Sequence, residues 1–225
     1  MPASPHLESD IAAIMASLRP SIALHRAAIN PEDAQPRSVD GERVAPSLVV
    51  LTGLPGSGKS TFARRLAPLI DAVVLESDAL RRLLFETPQH AQNESKRLFR
   101  AIQAVTFRLL LDGRNVIVDA TNLRETHRKP YVEIAATTGA SLQVVHLTAP
   151  EEVILNRLAH RRDVLDPNEA STAFEAVYAL LQQQEEAPRG RHLQIDTSGP
   201  VAIDAALRTL VENRLIDSTA QPIAR

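Results

Sequence analysis

The 225-residue sequence has no cysteine and no tryptophan, only 3% aromatic residues, and no apolar run that approaches the length of a membrane span. Without cysteine there is no disulfide, no thiolate nucleophile and no cysteine-bound zinc. The scarcity of aromatics leaves few platforms for stacked bases, Phe85 and Tyr131 being the candidates. The histidines show no metal-ligand spacing, and His160 reads as a surface residue. A formal net charge of -2 neither marks a nucleic-acid binder nor excludes a protein that grips a few phosphates. The N-terminus carries His6, Glu8 and Asp10 in place of a basic patch before an apolar core, so the expectation is a soluble cytoplasmic protein without a membrane partner. The length allows one sizeable core with an appendage.

What the chain does have is Gly53-Leu54-Pro55-Gly56-Ser57-Gly58-Lys59-Ser60-Thr61, directly after the apolar run Leu48-Val49-Val50-Leu51 and directly before a helical pattern. In that setting the glycines let the backbone curl so that successive N–H groups face a polyphosphate, and the helix adds the positive end of its dipole. Lys59 then reaches the β- and γ-phosphates of a nucleotide, and the Ser60 hydroxyl enters a Mg²⁺ shell. Pro55, Ser57 and Thr61 belong to the same nucleotide site.

Around this loop the chain alternates. Leu7, Ile11, Ile14, Met15 and Leu18 predict an amphipathic helix over 5–18 that lays its stripe on the main domain. Three prolines and a glycine between Asn30 and Pro46 predict a tether, with the domain boundary near Val44. Apolar runs predict strands at 48–52, 72–76, 115–119, 142–148 and 192–195. Helices are expected near 59–67, 79–85, 94–111, 124–138, 151–162, 170–186 and 201–214, with Gly139 ending one and Pro150 starting another. The fold class is therefore α/β: a parallel five-stranded sheet with helices on both faces, a helical lid and an N-terminal helix, its crevice at the C-terminal ends of the strands. The domains read as 1–44 (helix and tether), 45–216 (the core) and a flexible tail from 217.

Chemistry is then expected where strands end. Asp78 and Arg81 stand three apart at a helix start, so one face can carry both into the crevice. The carboxylate would accept a hydroxyl proton and the arginine would hold an anionic acceptor. In isolation the pair would read as a helix cap and a solvated arginine; behind a phosphate-binding loop the catalytic reading takes precedence. Asp119 ends another strand, where a carboxylate supports the metal through Ser60 or water, and Thr121 and Asn122 offer hydrogen bonds to an acceptor; a strand-end acid followed by a helix cap explains them equally well. Position 120 is Ala, where an ATP-hydrolysing motor needs Glu. Arg157 and Arg161 lie four apart on one helix face, with Asp166-Pro167 beyond, and can close over a nucleotide as a lid; Arg162 reads as solvated. The cluster Arg124, His127, Arg128, Lys129 is either an anion contact or a solvated stripe, and Asp196-Thr197-Ser198-Gly199 either borders the adenine or caps a helix.

Together GLPGSGKST, SDALR, VIVDATN followed by HRKP, and NRLAHR resemble the P-loop phosphotransferases of the polynucleotide 5′-kinase group, from about Leu48 to Ile195. The similarity is to the kinase module of bacterial polynucleotide kinase-phosphatases. It implies a base at Asp78, an acceptor-phosphate clamp at Arg81, ATP phosphate contacts from Lys59 and Ser60, and lid contacts from Arg157 and Arg161. The implied reaction is ATP-dependent, Mg²⁺-dependent transfer to a hydroxyl, with a nucleic-acid 5′ end as acceptor. Zeta-type toxins, chloramphenicol phosphotransferases and seryl-tRNA kinases share the frame, so a small-molecule or nucleotide-sugar kinase is the alternative. An ATP-driven switch is the reading outside catalysis. The segment between Glu86 and Asn93 is individual to this chain.

Overall fold

The computed structural model describes residues 6–28, 38–39, 42–43, 45–165 and 178–217. Five parallel strands form the sheet: β3 (Ser47–Thr52), β4 (Ala72–Glu76), β5 (Asn115–Asp119), β6 (Ser141–Thr148) and β7 (Leu193–Asp196), in the order β4-β5-β3-β6-β7. Two further strands of two residues each, β1 (Ser38–Val39) and β2 (Glu42–Arg43), pair antiparallel within the expected tether. The register sets Leu48 beside Val116 on one flank and beside Leu142 on the other, and brings Glu76 level with Asp119 at the C-terminal edge. Asn115 ties the opposite edge, accepting from the Ser47 N–H at 2.9 Å and donating to the Ile70 carbonyl at 2.6 Å. This is the expected doubly covered sheet, and strand positions agree with the apolar runs to within a residue.

Alternation along the strands divides the core in two. Leu48, Val50, Val116 and Val118 face α1 (Leu7–Ala28), α3 (Ser77–Leu84), α4 (Gln92–Leu111) and α5 (Glu125–Thr138). Val49, Leu51, Ile117 and Val145 face α2 (Lys59–Ile70) and α8 (Pro200–Asp217). Leu98, Ile102, Val105 and Leu109 of α4 recur on one face and are at most 1% exposed, each contributing about 1.5–3 kcal/mol by burial. Helix α6 (Glu151–Leu165) and a helical segment over 178–183, α7, pack through Ile154 and Tyr178 on Leu54 and Leu123. Gly139 ends α5 at φ +69°, its N–H returning to Ala135, and the Pro150 carbonyl accepts the Ile154 N–H at the start of α6.

The N-terminal helix is part of this core. Ile11, Ile14 and Leu18 are 2%, 0% and 9% exposed and join the cluster that includes Leu48 and Val116. Asp10, itself buried, accepts two hydrogen bonds of 2.7 Å from Arg97 of α4, and Glu8 pairs with Arg108. The helix passes the expected end at 18 and runs through Pro20 to Ala28. No helix among the described residues is long and apolar enough to cross a membrane.

Candidate active site

The loop after β3 closes tightly on itself. Gly53, Gly56 and Gly58 have φ of +139°, +83° and +90°, and a Cβ on Gly53 would stand 2.2 Å from the Leu147 carbonyl oxygen. Only glycine allows that approach. The Gly53 N–H donates to the Thr121 carbonyl and the Ser57 N–H to that of Leu54. Gly58 precedes the first turn of α2 without a side-chain cap, so the N–H groups of that turn face the loop's concavity. Lys59 is buried and its ammonium donates to the carbonyls of Gly53 at 2.8 Å and Leu54 at 2.7 Å.

Below the loop a cavity of about 530 Å³ gathers Gly56, Gly58, Lys59, Ser60, Glu76, Ser77, Asp78, Arg81, Asp119 and Thr121. The C-terminal ends of β4 and β5 deliver the acids, and α3 carries Asp78 and Arg81 onto its wall. Asp119 is 3% exposed. Burial pushes its carboxyl above the usual carboxylate range; a hydrogen bond from Ser60 and the charge of Lys59 oppose this, while Glu76 and Asp78 add to it. Its Oδ2 is buried and makes no hydrogen bond. Among the described residues no three His, Cys, Asp or Glu side chains converge to hold a metal by themselves.

Arg81 is 6% exposed and engaged: it forms an ion pair with buried Glu94 and donates to Ser95 Oγ at 3.2 Å. Burial opposes ionisation of Glu94, but the Arg81 hydrogen bond and the N–H groups of Gln89 and His90 hold its carboxyl below the usual range. Sequence reading did not find Glu94. A buried arginine demands an acid, yet nothing in the spacing across the irregular stretch 85–91 says which acid folds back. Phe99 and Tyr178 also line the cavity and were not found either, since an aromatic at helical spacing does not show which cavity its helix borders.

Several residues take other positions. Asn122, at φ +42° and 1% exposed, donates its amide to the Leu51 carbonyl at 2.8 Å and is not among the residues lining the cavity, whereas Thr121 is. Arg157 lies behind the loop: it donates to Thr197 Oγ1 at 2.9 Å, the Thr197 carbonyl at 2.6 Å and the Gly56 carbonyl at 3.2 Å. Thr197 in turn donates to the Ser57 carbonyl, so the stretch after β7 buttresses the phosphate loop. Arg161 lies on α6, but its side chain falls outside the described residues, as do those of Arg162, Asp166 and Pro167. Of the basic cluster, Arg128 is 2% exposed and donates to the Asn122, Leu123 and Glu186 carbonyls, clipping the strand-end loop to the segment after α7. It is not a solvated residue, and the anion it meets is the Glu125 carboxylate at 2.9 Å. Tyr131 is buried in the core at 1% exposure and offers no stacking face.

Against known proteins, a family model described as AAA domain matches residues 48–188. An uncharacterized protein of Mycobacterium tuberculosis is 32% identical over 165 residues, which make up 68% of this chain and 32% of the relative. The chain therefore spans about a third of that relative's length. A shikimate kinase of Geobacter sulfurreducens is 32% identical over 166 residues, covering 67% of this chain and 82% of the kinase. Among solved structures, the Pnkp1/Rnl/Hen1 RNA repair complex matches with a TM-score of 0.53 and 27% identity, over 68% of this chain and 51% of that one.

Proposed function

The chain belongs to the AAA domain family, and from that premise we propose a kinase that moves the γ-phosphoryl group of ATP to a hydroxyl, with a polynucleotide 5′-hydroxyl as the favoured acceptor. The observation that carries the proposal is that Lys59, Ser60 and Asp119 share one cavity with Asp78 and Arg81. A phosphate donor and an acceptor alcohol can meet there.

ATP lies with its phosphates in the curl of the loop. Lys59 exchanges its bonds to the Gly53 and Leu54 carbonyls for phosphate oxygens, so the site holds its cation in reserve rather than recruiting it from solvent. Ser60 and Asp119 fit Mg²⁺: both offer hard oxygens, and the bare Oδ2 of Asp119 is the kind of acceptor that a hydrated ion satisfies. Mg²⁺ supplies charge neutralisation on the β- and γ-phosphates. Asp78 accepts the proton of the acceptor hydroxyl as its oxygen bonds the γ-phosphorus; the bond from that phosphorus to the β-bridging oxygen breaks and ADP leaves. Catalysis is then alignment and charge neutralisation, the former worth up to about 7–11 kcal/mol when donor and acceptor are held in line. Arg81 positions the acceptor, and Arg157, through Gly56 and Thr197, holds the loop in shape while Arg161 closes from the lid.

The polynucleotide acceptor is supported by the resemblance of the motifs and by the 27% identity to the RNA repair complex chain. A small-molecule acceptor is the second reading, favoured by the Arg81–Glu94 pair, since a neutralised arginine has less to offer a phosphate. Ala120, on the cavity wall, places no carboxylate to orient a hydrolytic water, which speaks against an ATP-driven switch. Incubation with γ-labelled ATP and Mg²⁺, against 5′-hydroxyl oligonucleotides and a panel of small hydroxyl compounds, tests the reading. Label on an oligonucleotide supports it, label on a small compound alone moves it to the second reading, and release of phosphate without a labelled product sinks both.

A further inference from the structure

Helix α4 borders the acceptor side of the cavity through Ser95 and Phe99. The neighbouring stripe of the same helix, Asn93, Lys96, Arg97 and Arg100, follows the spacing that puts four residues on one face. This stripe lines a second concavity of about 200 Å³, whose other wall is α1 through Leu7 and Asp10. Charge is distributed unevenly in it. Asp10 neutralises Arg97, and Glu8 is drawn away to Arg108. Lys96 and Arg100 are exposed, and neither forms an ion pair with an acid among the described residues. The wall beneath them is held firmly, since Arg97 also lies 5.1 Å over the ring of Phe85, the residue that ends α3.

From this we infer that the groove between α1 and α4 holds the phosphodiester backbone of the acceptor strand where it leaves the cavity, one phosphate at Lys96 and the next at Arg100. The inference rests on the polynucleotide reading of the site. One helical turn sets the two cations about 6 Å apart along the axis, a separation that one repeat of an extended single strand spans. Phe99 and Lys96 are three residues apart, so a strand whose 5′ end lies by Asp78 passes from one stripe to the next without crossing an acid of α4. Sequence-independent contacts of this kind are electrostatic and weaken with salt. The N-terminal helix then has a role that the transfer chemistry alone does not explain: it supplies the groove's second wall.

The test is the double charge reversal Lys96→Glu with Arg100→Glu in the full chain, with Arg65→Glu and Arg208→Glu on the opposite face of the sheet as the control. Binding of a 5′-hydroxyl DNA decamer, with a non-hydrolysable ATP analogue present, is measured by anisotropy across a salt series. The expected result is a salt slope shallower by about 1.4, at about 0.7 per lost single-strand contact, and an affinity lower by about tenfold or more at low salt. The loss should be smaller for a dinucleotide than for the decamer, with ADP affinity and melting temperature unchanged. An unaltered slope overturns the groove while leaving the acceptor reading intact, as does an equal loss in the control variant or at both strand lengths. If the wild-type protein neither binds nor labels the decamer but labels a small hydroxyl compound, the acceptor reading fails and the groove falls with it.

Discussion

On the donor side of the cavity the backbone makes the site: Gly53, Gly56 and Gly58 turn the chain, α2 points its first N–H groups inward, and Lys59 folds onto the same loop. On the wall carried by α3 and α4 the cavity is made by side chains that meet across distance, Arg81 with Glu94 and Ser95. The first kind of construction is local and tolerates almost no change in residue type. The second is a set of pairs, and a different set of pairs gives a different pocket on the same frame. Under the proposed transfer, the handling of phosphate rests on main-chain geometry and the contact with the acceptor on side-chain pairs.

The sharpest test of that division is Asp78→Asn, on the cavity wall where the proposed reaction places its base. Loss of a general base should slow transfer by about 10²–10⁴ with ATP affinity unchanged; turnover at the wild-type rate would remove Asp78 from the base role. Next comes Gly53→Ala. The added Cβ meets the Leu147 carbonyl at 2.2 Å on a backbone that L side chains rarely adopt, so thermal unfolding should show a loss of about 3 kcal/mol or more and nucleotide binding should fall with it. If that variant melted normally and bound ATP, the donor side would be less rigid than described.

A smaller effect is expected from Glu94→Gln. Without its acid Arg81 no longer holds one position, and labelling of the acceptor should fall by about tenfold; ATP affinity measured by calorimetry should stay. A loss of both would join the two sides into one unit. The smallest effect has the opposite sign for stability. The pKa of Asp119 is raised in the folded chain, so the native state holds this proton more tightly than the unfolded one, and stability falls as pH rises through the interval between the ordinary carboxylate value and the raised one. Asp119→Asn should therefore melt slightly higher than the parent at neutral pH and flatten the pH dependence of stability, read by thermal melts across a pH series. A lower melting temperature would mean that the Ser60 and Lys59 contacts outweigh the burial.

The same division explains what was legible in the sequence. The strands were readable because a strand covered on both faces must be apolar throughout, and the loop because its glycines have no substitute. The place of Asp119 and Thr121 on the cavity wall followed from the strand ends. The carbonyl partners of Arg128 and Arg157 were not legible because a charged residue at helical spacing looks the same whether it faces water or clips two segments together; only the carbonyls of Asn122, Leu123 and Thr197, brought from elsewhere in the chain, decide it. Asn122 and Tyr131 were misplaced because burial of a polar tip depends on packing that periodicity does not encode. Glu94 needed the path of the stretch between Phe85 and Gln92, which has no repeating pattern to read.

The docking of α1 carries a practical warning for anyone trimming the protein to its family-matched segment. A version that starts at residue 45 would uncover the apolar surface now sealed by Ile11, Ile14 and Leu18, and would leave Arg97 without its carboxylate. Such a fragment should come out of cells as aggregate and recover solubility when a peptide spanning residues 1–28 is supplied in trans, so a catalytic core cut by homology would be judged dead for want of its own first helix.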